Sequence, residues 1–248
     1  MKNLNRLLNL YKRGRKLSCI TAYDASISKY LDSNNTDIVL VGDSLGQVIK
    51  GGKSTHTVSI DEIIYHSKCV KSGLKKATLM IDLPINTYNS KSQAYKNAYK
   101  LISKCSADLV KIEVNEKNIN IADHLIKKNV PLCGHIGLLP QSIKSKSGFR
   151  KYGKSLKEGN QIYDLALSLD QIGVKLILLE CVDNIVADKI SKACKSPVIG
   201  IGSGKGLDGQ VAVIYDLLGI SFNKITSLTM KKSSSFDKVI QNFLKNNK

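Results

Sequence analysis

Short apolar runs recur along the chain, and one after another they end in an acid or a histidine. Ile20-Thr21-Ala22-Tyr23-Asp24, Ile38-Val39-Leu40-Val41-Gly42-Asp43 and Thr78-Leu79-Met80-Ile81-Asp82 have this form. So do Leu109-Val110-Lys111-Ile112-Glu113, Val130-Pro131-Leu132-Cys133-Gly134-His135 and Leu176-Ile177-Leu178-Leu179-Glu180. Parallel strands covered on both faces read as continuous apolar runs of this length. In a closed parallel barrel the catalytic groups sit at the C-terminal ends of several strands. The pattern therefore predicts an α/β chain whose single site is assembled from many segments. Val198-Ile199-Gly200-Ile201 and Val211-Ala212-Val213-Ile214 complete the set that a (β/α)₈ TIM barrel requires.

Helical stretches separate the runs, as βα units demand. Ser59 and Glu62 form a capping box ahead of Ile60, Ile63, Ile64 and Val70, and Ser90 with Gln93 repeats the device. Residues 123–128, 161–171 and 185–194 read as further helices, and Gly73 and Gly173 stand where C′ glycines belong. Residues 1–16 read as a short amphipathic helix that packs on the body, too interrupted by Asn and Arg for a signal peptide. Residues 144–157 read as a basic loop over the site, and 233–248 as a last helix with a basic tail. With 248 residues and no Pro/Gly/Ser linker, the whole chain, 1–248, reads as one barrel domain.

The formal charge of +18 invites a nucleic-acid reading. The lysines are dispersed, Trp is absent and no nucleic-acid motif occurs, so no specific nucleic-acid partner is expected. A positive field also suits small anionic substrates. The six cysteines show no metal spacing and read as reduced thiols of a cytosolic protein. No apolar stretch is long enough to cross a membrane.

Asp43, Asp82 and Glu113 end consecutive runs. Carboxylates gathered at one mouth repel one another, and a divalent cation relieves the repulsion. An all-oxygen set suits Mg²⁺, with waters and substrate oxygens completing its shell. Lys111 lies two residues before Glu113 and shares its face of the strand, where an ammonium suits an anionic substrate group. His135 can donate a hydrogen bond, and Glu180, at an apolar mouth, can act as a base. Residues 200–206, Gly-Ile-Gly-Ser-Gly-Lys-Gly, offer close backbone approach to a ligand, with Ser203 as a further contact, but are not a P-loop.

These segments, with Val41-Gly-Asp-Ser-Leu-Gly46, Asp82-Leu-Pro84, Val110-Lys-Ile-Glu113, Cys133-Gly-His135-Ile-Gly137, Pro140-Gln-Ser142, Leu179-Glu-Cys-Val182 and Pro197-Val-Ile-Gly-Ile-Gly-Ser-Gly204, occur in order from about residue 18 to residue 220. Taken together they resemble the ketopantoate hydroxymethyltransferase family. The resemblance implies a (β/α)₈ barrel that uses one Mg²⁺ per subunit and 5,10-methylenetetrahydrofolate to hydroxymethylate the α-keto acid 3-methyl-2-oxobutanoate. It implies Asp43 and Asp82 as metal ligands, Glu113 holding the metal through water, and Ser44, Lys111 and His135 gripping the keto acid along with Asp43 and Asp82. Glu180 corresponds to the proton-transfer residue. A cytoplasmic homo-oligomer, a decamer by resemblance, is also implied. Residues 147–153 and the region after Ser221 depart from the family pattern. Two other readings are a Mg²⁺-dependent carbon–carbon lyase of the isocitrate lyase/phosphoenolpyruvate mutase type and an inactive basic scaffold barrel.

Overall fold

The computed structural model describes residues 2–143 and 149–223. Eight strands close into a barrel in strict chain order, each parallel to its neighbours. They are β1 (Leu17–Thr21), β2 (Ile38–Val41), β3 (Thr78–Asp82), β4 (Leu109–Glu113), β5 (Leu132–Gly137), β6 (Leu176–Glu180), β7 (Val198–Ile201) and β8 (Gly209–Ala212). The ring is sealed where Leu17 to Ile20 pair with Gly209 to Ala212. Helices α1 (Lys2–Lys12), α2 (Ala25–Ser33), α3 (Leu45–Val48), α4 (Ile60–Gly73) and α5 (Lys91–Cys105) belong to the first half. Helices α6 (Ile119–Lys127), α7 (Leu156–Ile172), α8 (Asn184–Ala193) and α9 (Ile214–Leu218) follow.

Strand side chains alternate, and here the alternation splits the core in two. Val39, Val41, Leu79, Ile81, Val110, Ile112, Ile177 and Leu179 pack outward against the helices. Leu17, Cys19, Ile38, Leu40, Met80, Leu109, Cys133, Leu176, Leu178 and Ile199 fill the barrel, and Leu4 and Leu7 of α1 join them as a plug. Each such apolar side chain contributes about 1.5–3 kcal/mol when fully buried. Stepping by two along the interior positions leads from Met80 to Asp82, from Leu109 to Lys111 and Glu113, and from Cys133 to His135. The same step leads from Leu178 to Glu180. The phase that fills the barrel with hydrocarbon thus delivers charged groups to its C-terminal rim.

The opposite rim uses acids structurally. Asp37, just before β2, accepts from Ser18 N and Oγ at 3.0 Å each. Asp108, before β4, accepts from Leu79 N at 3.0 Å, and Asp208, before β8, accepts from Val198 N at 2.9 Å. Each carboxylate locks the start of the preceding strand to its own.

Several expectations shift in detail. Asp24 does not end a strand at the site, since β1 stops at Thr21 and Asp24 caps α2, accepting from Ile27 N at 2.8 Å. The last strand begins two residues earlier than the apolar run suggests, because Gly209 packs against the Leu17 backbone. The N-terminal helix stops at Lys12, and Gly14 follows with φ 76°. The Ser59–Glu62 capping box is present. Gly173 ends α7 with φ 91° as expected, but Gly73 lies inside α4. A Cβ at Gly73 would stand 2.2 Å from Ser28 Oγ and 2.5 Å from Ala25 O, so this glycine is needed for close packing of α4 on α2. Residues 144–148 of the expected loop and the expected C-terminal helix at 233–248 lie outside the described residues.

Gly73→Ala is expected to lower stability by about 1–3 kcal/mol through overpacking against backbone. Urea denaturation checks this, and an unchanged midpoint contradicts the packing role.

Candidate active site

The rim charges gather in one cavity of about 200 Å³ at the C-terminal mouth. Asp43, Ser44, Asp82, Lys111, His135 and Glu180 all line it, above a floor that includes Leu40, Leu178 and Val211. Strand pairing explains the convergence. Asp82 is in register with Lys111, Glu113 with His135, and Gly137 with Glu180. Asp43 enters from the turn after β2, with its backbone N–H 3.5 Å from Asp82 Oδ2.

Lys111 Nζ lies 2.6 Å from Asp82 Oδ2, and both side chains are almost wholly cut off from water, at 5% and 0% exposure. Burial alone would lower the lysine, but Asp82, Asp43 and Glu113 outweigh it and hold the ammonium above its ordinary range. Burial pushes the Asp82 carboxyl up to about 7, with Lys111 pulling it down and Asp43 pushing it further up. Asp43 Oδ2 and Asp82 Oδ1 are both buried without a hydrogen-bond partner. Unmade bonds on buried carboxylates cost free energy unless something binds there.

Glu113 departs from the expected trio. It is buried beside the cavity and does not line it. Its Oε1 accepts from Gln141 N at 2.9 Å, and its Oε2 faces Ser142 Oγ at 3.5 Å. Burial and then Asp43 raise it well above the usual carboxylate range. Among the described residues no group of three or more His, Cys, Asp or Glu side chains is placed to hold a metal ion. The structure offers a pair of open carboxylate oxygens, with the third acid tied behind them.

Across the cavity, His135 Nε2 lies 3.3 Å from Glu180 Oε2. Burial, and then Lys111, hold the imidazole well below its ordinary pKa, so it is neutral at pH 7. Burial pushes Glu180 up to about 7, with Lys111 opposing, although 22% of its side chain reaches the open mouth. The Ser44 hydroxyl is 2.6 Å from Tyr23 Oη. Tyr23 is itself buried, and its backbone carbonyl faces His66 Nδ1 at 2.7 Å.

Ser203 does not contact the cavity as expected. It is buried, accepts from Val182 N at 3.0 Å and donates to Leu179 O at 3.0 Å, joining β6 to the turn after β7. At Gly200 a Cβ would stand 2.3 Å from Leu207 Cδ1, so a larger residue there would displace the Leu207 side chain.

Sequence reasoning missed the supporting residues. Tyr23 sits in the first apolar run, where its neighbour Asp24 drew attention instead. Tyr88 Oη donates to Gln141 Oε1 at 2.6 Å, and Gln141 Nε2 donates to Leu83 O at 3.1 Å, so the Pro140–Ser142 turn is fastened where it meets Glu113. Only the Pro140-Gln-Ser142 segment signalled this. Nothing in the sequence signalled Thr55 or Asp216, which also line the cavity.

Lys111→Ala is expected to cost on the order of 3 kcal/mol of stability, since it strands a buried carboxylate. Chemical denaturation reads it, and a loss below about 1 kcal/mol contradicts the pairing.

A model of the ketopantoate hydroxymethyltransferase family matches residues 1–247. The 3-methyl-2-oxobutanoate hydroxymethyltransferase of Aeromonas hydrophila subsp. hydrophila is 40% identical over 223 residues, covering 90% of this chain and 84% of that protein. The protein of that name from Buchnera aphidicola subsp. Acyrthosiphon pisum is 38% identical over 244 residues, covering 97% and 92%. Among solved structures, phosphoenolpyruvate phosphomutase from Streptomyces platensis subsp. rosaceus superposes with TM-score 0.69 at 10% identity, covering 99% of this chain and 88% of that one. A phosphonopyruvate hydrolase complexed with oxalate and Mg²⁺ superposes with TM-score 0.61 at 9% identity, covering 84% and 79%. The likeness to these structures extends to the fold alone.

Proposed function

The chain belongs to the ketopantoate hydroxymethyltransferase family, and from that membership we propose how its barrel mouth carries out the transfer. The reaction adds a hydroxymethyl group to C3 of 3-methyl-2-oxobutanoate, a step of pantothenate biosynthesis. The donor in our reading is 5,10-methylenetetrahydrofolate. Donor, water and oxoacid are consumed, and tetrahydrofolate and 2-dehydropantoate are released, so no redox partner is needed.

One observation carries the reading: two buried carboxylate oxygens, Asp43 Oδ2 and Asp82 Oδ1, lack partners in a cavity that also holds a charged lysine and a raised glutamate. Hard oxygen donors on one or two carboxylates, with room for substrate oxygens, fit Mg²⁺. Asp43 and Asp82 would hold the ion, and Glu113, already bonded to Gln141, would stand behind it. When bound, Mg²⁺ supplies a Lewis acid for the keto oxygen and a countercharge for the carboxylate.

The chain's own residues do the rest. Lys111 places a permanent positive charge beside the substrate's carboxylate, in surroundings where charge is weakly screened. Ser44, oriented by Tyr23, and neutral His135 supply hydrogen bonds that fix the oxoacid without adding charge. Glu180 takes the C3 proton, and the electron pair left behind delocalises into the keto group before C3 attacks the one-carbon unit. A base whose pKa lies near 7 is matched to this task at neutral pH. The apolar floor suits the substrate's branched alkyl end. Among the described residues no helix is long and apolar enough to cross a membrane, and the six free thiols support a cytoplasmic setting. Exposed Tyr65, Tyr99, Leu156 and Ile185 support assembly into a homo-oligomer.

Proton exchange tests the reading without the folate donor. With Mg²⁺ in D₂O, the protein is expected to wash deuterium into C3 of 3-methyl-2-oxobutanoate, and chelation by EDTA is expected to stop it. Absence of exchange contradicts the assignment, and cleavage of a 2-hydroxy or malate-type acid in its place would favour a carbon–carbon lyase. Glu180→Gln is expected to slow exchange on the order of 10²–10⁴-fold, and an unimpaired variant would reassign the base. Glu180 must be deprotonated to accept the proton. The exchange rate is therefore expected to hold above about pH 7 and to fall as pH drops below it. A rate that is flat from pH 8 to about pH 5 contradicts Glu180 as the titrating base.

A further inference from the structure

The strand-end residues Asp43, Asp82, Lys111, His135 and Glu180, to which the oxoacid is assigned above, account for only part of the cavity wall. The upper wall is built by segments beyond the C-terminal strand ends: Gln47 on α3 and Thr55 after β2, Phe149 after β5, and Asp216 on α9 and Ser221 after β8. Of the carboxylates lining the cavity, Asp43, Asp82 and Glu180 have tasks in the chemistry above, and Asp216 has none.

Asp216 is held in place. Ile214 N donates to Thr21 Oγ1 at 3.0 Å, where the chain leaves β8. Further on, Asn223 Nδ2 donates to Gly52 O at 3.0 Å, and the Phe222 ring covers Gly51, lying 3.3 Å from where a Cβ would stand. Residues 214–223 thus cross the mouth and fasten to the loop that carries Asp43 and Ser44. Ser221 Oγ donates to Asp216 Oδ1, and Asp216 Oδ2 has no hydrogen bond among the described residues. On the facing loop, Thr55 Oγ1 is buried and without a partner. Both residues line this part of the cavity, the Asp216 carboxylate half-exposed and the Thr55 hydroxyl buried.

The second substrate must reach C3 of the oxoacid from the open side, because the floor is closed by apolar side chains and α1. We propose that this upper level is the subsite for the bicyclic heterocycle of the one-carbon donor, with Asp216 and Thr55 as its polar contacts. The inference rests on the function proposed above. A reduced pterin carries a ring N–H and an amino group side by side, a pair of donors that a carboxylate accepts with both oxygens. Its carbonyl provides the acceptor that the Thr55 hydroxyl lacks. Phe149, 45% exposed at the rim, presents an aromatic face for the flat ring. Asp216 selects the donor and leaves the proton chemistry to Glu180.

Steady-state kinetics of Asp216→Asn on the full chain test this. Asparagine keeps the shape but replaces one acceptor oxygen with an N–H₂ donor. The KM for 5,10-methylenetetrahydrofolate is expected to rise about 10–100-fold, the share of a charged hydrogen bond. The KM for 3-methyl-2-oxobutanoate is expected to move less than about twofold, on the additivity of separate sites. Thr55→Val, which removes the hydroxyl at constant shape, is expected to raise the donor KM about fivefold. An unchanged donor KM in Asp216→Asn overturns the proposal, as does an equal rise in both KM values, which marks a structural role. Deuterium exchange by the wild-type protein is run alongside. If exchange itself is absent, the function reading fails; if it is present and the donor KM does not move, only the subsite fails.

Discussion

The ion pair of Lys111 and Asp82, side by side on adjacent strands and nearly sealed from water, is the contact on which the rest of the mouth depends. A buried pair of this kind contributes little net stability, since desolvation consumes most of what the attraction returns. Its value is positional. The lysine keeps its charge because the acids around it favour the ammonium, and that charge in turn lowers the carboxyls it faces and adds to the burial that keeps His135 neutral. Asp82, Glu113, His135 and Glu180 all feel that charge. The same field opposes the burial that raises Glu180, so that carboxyl settles at about 7.

The pair sits where it does because of a simple periodicity. The interior positions of β3 and β4 begin with Thr78 and Met80 and with Leu109, then switch to Asp82 and to Lys111 with Glu113 at the C-terminal end. The barrel is a hydrophobic plug below and a polar bowl above, with α1 sealing the lower end. Carboxylates at the lower rim serve differently. Asp37, Asp108 and Asp208 are consumed by backbone N–H groups of the neighbouring strands, so they make the frame rigid and take no part in the bowl.

Much of this was legible in the sequence because it obeys short-range rules. Their positions at the ends of apolar runs brought Asp82, His135 and Glu180 to one mouth, and a period of two put Lys111 on the same face as Glu113. The Ser59–Glu62 cap is a local signature and appeared as read. Asp24 was misjudged because the strand ends at Thr21, before the apolar run does, and a helix cap competes for the same residue type. Glu113 was placed on the right strand, but the sequence could not show that the turn at Pro140–Ser142 folds back to bond it. Asp216 sits on the short helix α9 and Thr55 in the segment after α3, and their placement depends on contacts distant in the chain such as Asn223 with Gly52. The net charge of +18 is a property of composition that gives the whole chain a positive field.

The central claim is that Asp43 and Asp82 bind a divalent cation directly while Glu113 acts from behind. Electron paramagnetic resonance of Mn²⁺, which accepts the same oxygen ligands, measures this on the intact protein. The account predicts one bound ion per chain in the wild type, loss of that ion in the Asp43→Asn, Asp82→Asn double variant, and retained but weakened binding in Glu113→Gln. Full binding by the double variant, or abolition by Glu113→Gln alone, would contradict it.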